Sequence, residues 1–115
     1  MDEIETKSKI DISIGFDKQK LPVDIIWQSS DQEDAPPVSC KGMLLSFFER
    51  ESLDTLKIDL WTKDMQVVEM DRFFFQTLRA MADTYHKATQ NNQLANDMQR
   101  FVQYFGEKTE ILKPE

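Results

Sequence analysis

The chain has 115 residues, a hydrophobic fraction of 40% that includes eight Phe and two Trp, and a formal net charge of −7. That is enough for a single globular core, burying about two thirds of the unfolded surface. It excludes a disordered acidic tail. The charge repels phosphate backbones and anionic headgroups, which argues against nucleic acid or a membrane surface as the main partner.

From Ile10 to Phe16 the residues alternate, with Ile10, Ile12, Ile14 and Phe16 on one face and Asp11, Ser13 and Gly15 on the other. A period of two predicts a half-buried strand. After the polar turn Asp17 to Lys20, Val23, Ile25 and Trp27 share a face of a second run, which completes a hairpin. The acidic stretch Ser29 to Pro37 ends in a proline pair and is read as a surface loop.

A longer strand is expected from Val38 to Glu49. Met43, Leu45 and Phe47 on one face and Leu44 and Phe48 on the other make it apolar on both sides, as in a central strand. In the fourth strand Leu56, Ile58 and Leu60 alternate with Lys57, Asp59 and Trp61.

Past Thr62 the period becomes helical. Val67, Met70, Phe74, Leu78, Met81, Tyr85 and Ala88 form one stripe, with Asp64 as the expected cap and Glu69 and Asp71 near the positive end of the dipole. After the break Thr89 to Asn92, Leu94, Met98, Phe101, Val102 and Phe105 make the stripe of a second helix, with Gly106 and Pro114 marking its end. The expected fold is α+β: a four-stranded antiparallel sheet followed by two helices packed on one face, in a single domain. Ile12, Ile14, Ile25, Ile58 and Leu60 should then meet Phe74, Leu78, Phe101 and Phe105.

Chemistry-bearing motifs are sparse. The one histidine, His86, cannot build a multi-histidine metal site, and it is read as a helix-surface residue. The one cysteine, Cys40, has no neighbouring base and is read as a half-buried structural thiol. Three glycines allow no phosphate-cradling loop, and Asp59, Asp64, Glu69 and Asp71 lack calcium-loop spacing. No enzyme activity, cofactor or metal is expected. With Met1 as the natural start, the acidic N-terminus is unlike a secretory signal. No apolar run approaches the ~20 residues of a membrane span. The expected location is the cytoplasm.

Apolar residues left outside these core faces are the informative ones. Trp61 falls on the polar face of the fourth strand with Lys57 and Asp59. Ile26, Phe48 and Leu44 are candidates for the same outer face, and Phe73 lies off the first helix stripe. Trp61, Phe73, Ile26 and Phe48 are therefore the candidate protein-contact residues, for a partner or for a second copy in a homo-oligomer.

The run DTLKIDLWTKDM (54–65), followed by Val67, Glu69, Met70, Phe73 to Phe75 and Leu78, is distinctive. With Ala80 to Thr84 and Ala95 to Met98, it resembles the GldC family of gliding-motility proteins of Bacteroidetes. One departure is Gln66, where the family pattern has proline. The resemblance implies an accessory protein of the gliding machinery, which overlaps with type 9 secretion. It brings no catalytic residues, and a protein of the apparatus is the implied partner. The order ββββαα is also similar to that of the export chaperone SecB, so a chaperone that binds unfolded clients is an alternative, as is a small ligand-binding protein.

Overall fold

The computed structural model describes residues 2–32 and 34–113, and the chain divides into two compact units, Met1–Met65 and Gln66–Glu115. The first unit is β-rich, with one short 3-10 helix (Ser30–Gln32) in the stretch expected as a surface loop. Strand β1 (Ile10–Phe16) pairs antiparallel with β2 (Pro22–Ser29), which pairs antiparallel with the short β3 (Val38–Cys40). Strands β4 (Gly42–Phe48) and β5 (Thr55–Trp61) form a separate two-stranded antiparallel ribbon.

The expected four-stranded sheet is thus corrected to three strands plus two. Its third strand changes partner at Lys41. Up to Cys40 it faces β2, through Ile25↔Cys40 and Trp27↔Val38. From Gly42 it faces β5. At the break the Lys41 carbonyl accepts the Thr62 N–H at 2.7 Å, so the turn after β5 bonds there. Pro22 brings no N–H to the start of β2, and its carbonyl accepts from the Lys63 N–H at 3.0 Å. The beginning of β2 is therefore tied to that same turn.

Side-chain alternation follows the expected register. Ile12, Ile14, Ile25 and Trp27 share a face of the three-stranded sheet, since Ile12 stands opposite Trp27 and Ile14 opposite Ile25. Met43, Leu45 and Phe47 oppose Leu60, Ile58 and Leu56 across the ribbon. Ile25 is 2% exposed and Leu60 half-buried, but Ile12 and Ile58 are exposed, contrary to the expectation that both sit in a core.

The second unit is a pair of helices, α1 (Val67–Thr89) and α2 (Asn92–Lys108). The cap of α1 is Gln66 and not Asp64. The Glu69 carboxylate accepts from the Gln66 N–H at 3.0 Å, while Asp64 accepts from the Thr62 hydroxyl. Gln90, in the left-handed region at φ 58°, ends α1. The Asn91 side chain then caps α2 by accepting from the Leu94 N–H at 3.1 Å.

The expected stripes hold in part, with Val102 buried and Leu78, Met98 and Phe105 half-buried, but the most buried positions lie elsewhere. Among the described residues the buried hydrophobics of this unit are Phe75, Ala82, Ala95 and Val102, whereas Phe74, Met81, Leu94 and Phe101 are exposed. The seam runs through small residues, which lets two helix axes approach closely. Gly106 is part of it. It lies buried inside α2, not at a fraying end, and a methyl group there would sit 2.6 Å from both Phe75 Cε1 and Leu112 Cδ1. Past Lys108 the chain folds back, and the Leu112 N–H donates to the Gly106 carbonyl at 2.9 Å. Pro114 lies outside the described residues.

Candidate interaction surfaces

Trp61 ends β5 on the ribbon face that also holds Leu44, Asp59, Lys57 and Phe48, because Gly42 opposes Trp61, Leu44 opposes Asp59 and Phe48 opposes Thr55. It is 54% exposed. With Leu21, Pro22, Asp59, Leu60 and Lys63 it lines a depression of about 440 Å³. One wall is apolar and the rim is charged.

Two loops distant in sequence hold this depression in shape. Lys63 Nζ donates to Asp17 Oδ2 at 2.8 Å, joining the turn after β5 to the β1–β2 turn. The other carboxylate oxygen, Asp17 Oδ1, accepts the N–H groups of Gln19 at 2.8 Å and Leu21 at 3.0 Å. The lysine bond first, and the Leu21 bond next, hold the Asp17 carboxyl below its ordinary range. Beneath, Thr62 is 1% exposed. Its hydroxyl bond to Asp64 is the main reason that the Asp64 carboxyl is also lowered.

Phe48 and Ile26 are not among the residues lining the Trp61 depression. Phe48 shares its ribbon face and is 68% exposed, but stands six residues along, about 20 Å away at strand spacing. Ile26 is exposed in the other sheet, where it faces Ser13 and Ser39. Phe73 is half-buried and belongs to the helical unit. Leu21, Pro22 and Asp17 were not legible as neighbours of the turn after Trp61, since the Lys63–Asp17 bond that joins the two turns spans 46 positions.

The helical unit has a surface of its own. Phe73, Thr77, Ala80, Met81, Thr84, Tyr85 and Met98 are among the residues lining a shallow groove of about 690 Å³. A second depression between the helices has Leu78, Met81, Leu94, Met98 and Phe101 in its wall. Phe73 packs edge-on to Phe74 at 6.3 Å, and Phe101 lies 6.3 Å from Phe105.

Cys40 is not among the residues lining the Trp61 depression, and His86 is not among those lining the groove of the helical unit. The His86 ring faces the Asn92 side chain at the junction of the helices, and Cys40 is half-buried at the end of β3. Among the described residues no three His, Cys, Asp or Glu side chains gather as a metal site, and no helix is long and apolar enough to cross a membrane.

No curated protein and no solved structure gives a significant match to the chain. The profile of the gliding motility-associated protein GldC-like family matches residues 22–111, which takes in every element from β2 to α2. The chain belongs to the GldC-like family.

Proposed function

We propose that this protein is a cytoplasmic accessory component of the gliding machinery, linked through it to type 9 secretion, and that it acts by holding a protein partner and not by catalysis. The carrying observation is Trp61, a large indole 54% exposed at the rim of a depression whose apolar wall is Leu21, Pro22 and Leu60. Tryptophan in such a setting is enriched among binding hot spots, and the bonded pair Lys63 and Asp17 keeps the site formed before a partner arrives. A depression of this size accommodates one or two partner side chains. Asp59 and Lys63 on its rim suit a polar backbone around them.

The test is complementation of a gliding bacterium lacking this protein with Trp61→Ala. The variant should accumulate and fold like the parent, shown by circular dichroism of the purified chain, yet restore gliding poorly. Full gliding by cells carrying only the variant would overturn the proposal.

A second reading, a chaperone that binds unfolded clients, draws on the groove in the helical unit, where Phe73, Met81 and Met98 are among the lining residues. Methionine adapts to varied partners, as promiscuous binding requires. Suppression of aggregation of an unfolded protein by the purified chain, lost in Met98→Lys, would favour that reading over the first.

A further inference from the structure

We infer that the open edge of β1 pairs antiparallel with the same edge of a second copy of this chain, joining two three-stranded sheets into one continuous sheet.

β1 is the outer strand of its sheet, with β2 on one side and, among the described residues, no strand on the other. The hairpin shows which of its backbone groups are engaged. The Lys9 carbonyl accepts from the Ser30 N–H at 2.9 Å, and the Asp17 N–H donates to the Leu21 carbonyl at 3.0 Å. In an antiparallel ladder successive residues turn their N–H and C=O groups to opposite edges. Asp11, Ser13 and Gly15 therefore bond towards β2, while Ile10, Ile12, Ile14 and Phe16 point theirs out from the open edge. Edges of this kind are ordinarily blunted by shortness, lysine or proline. The edge at β3 is only three residues long. β1 has seven residues with neither lysine nor proline among them.

Charge selects both the occupant and the register. The hairpin is polar along its length. At one end Asp2, Glu3 and Glu5 outnumber Lys7 and Lys9, and at the turn Lys18, Lys20 and Lys63 outnumber Asp17. An antiparallel two-fold pair sets the acidic end of each copy beside the basic end of the other. Sheet faces match only if odd residues oppose odd ones and even residues oppose even ones. Centred on Asp11, the pair would bring two Asp11 carboxylates together; centred on Ile14, it would bring Asp11 to Asp17. Centred on Ile12, only Ile10 to Ile14 overlap. Centred on Ser13, the strands overlap throughout, with Ile12 opposite Ile14, Ile10 opposite Phe16 and Asp11 opposite Gly15. No like charges then meet, Lys9 comes level with Asp17, and every outward N–H and C=O group of β1 has a partner.

The test is the solution mass of the full chain, by sedimentation and light scattering from micromolar to millimolar concentration. Two seven-residue strands cover less than the about 800 Å² per partner of a permanent complex, so a reversible rise from 13.5 kDa towards twice that mass is expected. Ile12→Pro removes an outward N–H and no bond to β2, so it should hold the mass at one chain. Ser13 is exposed and stands on the two-fold axis. Ser13→Asp alone, or Ser13→Lys alone, sets like charges opposite each other and should raise the concentration needed for pairing about fivefold. An equimolar mixture of the two should pair at least as well as the parent. These two variants keep the test decisive should Ile12→Pro unfold the chain, which circular dichroism reports. A parent chain that stays monomeric throughout the range overturns the inference. So does a dimer that the Ser13 variants leave unchanged, its interface then lying on the ribbon or the helices, and so does a mixture that fails to pair. Trp61→Ala should leave the mass unchanged, so failure of the Trp61 proposal and failure of this one are read separately.

Discussion

Gly106→Ala sets two known effects against each other at one buried position. Glycine inside a helix costs about 1 kcal/mol relative to alanine, so an unobstructed Gly→Ala change within α2 would stabilise the protein by that amount. The structure obstructs it. A methyl group at this position would sit 2.6 Å from Phe75 Cε1 and 2.6 Å from Leu112 Cδ1. Ordinary contact begins near 3.4 Å, so each neighbour has to yield about 0.8 Å (3.4 − 2.6). Leu112 lies past the end of α2 and can turn its side chain aside. The Phe75 ring is 5% exposed and packed in the seam, with the Arg79 guanidinium 5.3 Å from its centroid. Moving it is an overpacking change, which costs about 1–3 kcal/mol. The net expectation is a loss of about 1 kcal/mol, or a Tm lowered by roughly 4 °C for a chain of this size.

Thermal and urea unfolding followed by circular dichroism at neutral pH measures this loss. A double-mutant cycle identifies its cause. In a Phe75→Leu background the same alanine should cost little or become stabilising, because the ring it strikes is gone. An alanine that stabilises the otherwise unchanged protein by about 1 kcal/mol would refute the reasoning. It would show that α1 and α2 are not held as closely as Gly106 implies.

Two further perturbations address the β unit. The Asp17 carboxyl is held below its ordinary range by Lys63 and Leu21, so its contribution to stability is complete above the unfolded-state value near 4 and disappears as pH falls through the folded-state value. Urea midpoints should therefore be flat from about pH 7 to 5 and fall below about pH 4. Asp17→Asn should be less stable at neutral pH and lose less on acidification, and an acid limb identical to the parent's would contradict this. Leu53, exposed in the β4–β5 turn, has φ 59°, a conformation costly for a residue with a Cβ. Leu53→Gly should raise stability by about 0.5–1 kcal/mol, and a destabilised variant would mean that the leucine side chain packs in a way its exposure does not suggest.

Much of the β unit was legible because a period of two leaves little freedom. Ile10, Ile12, Ile14 and Phe16, or Leu56, Ile58 and Leu60, can share a face only in an extended chain, and the observed registers keep those groupings. The division of the third strand was not read from the sequence, because Lys41 and Gly42 are a short interruption between apolar residues that keep the same alternation on either side. Its cause is a set of bonds from Thr62 and Lys63, some 20 to 40 positions away in the sequence, to the carbonyls of Lys41 and Pro22. The junction of the helices was legible where local chemistry decides it, in the break Thr89 to Asn92, but the start of α1 was not. Asp64 misled because an acidic residue just ahead of a helix resembles a cap, while here the Thr62 hydroxyl claims it.

The helix faces show how the candidate surfaces came to be misread. A stripe reading ranks residues by size and hydrophobicity and turns the heaviest side inward. That rule places Phe74, Met81, Leu94 and Phe101 inside. Two helices that pair closely obey a different constraint, since the axes must approach, and the seam is filled by Ala82, Ala95 and Gly106 around Phe75 and Val102. The bulky residues are then displaced to the adjoining face. The size that marked them as core residues makes them costly to leave in water. At about 25 cal/mol per Å², burying the roughly 400 Å² that Phe74, Met81, Leu94 and Phe101 expose would contribute on the order of 10 kcal/mol before the costs of association are subtracted. That gross term is comparable with the entire stability of many domains of this length. The sequence pattern placed these side chains in the core of their own chain, where the structure leaves them exposed. It could not show that close approach of the two helix axes would fill the seam with small residues and leave the bulky ones outside it.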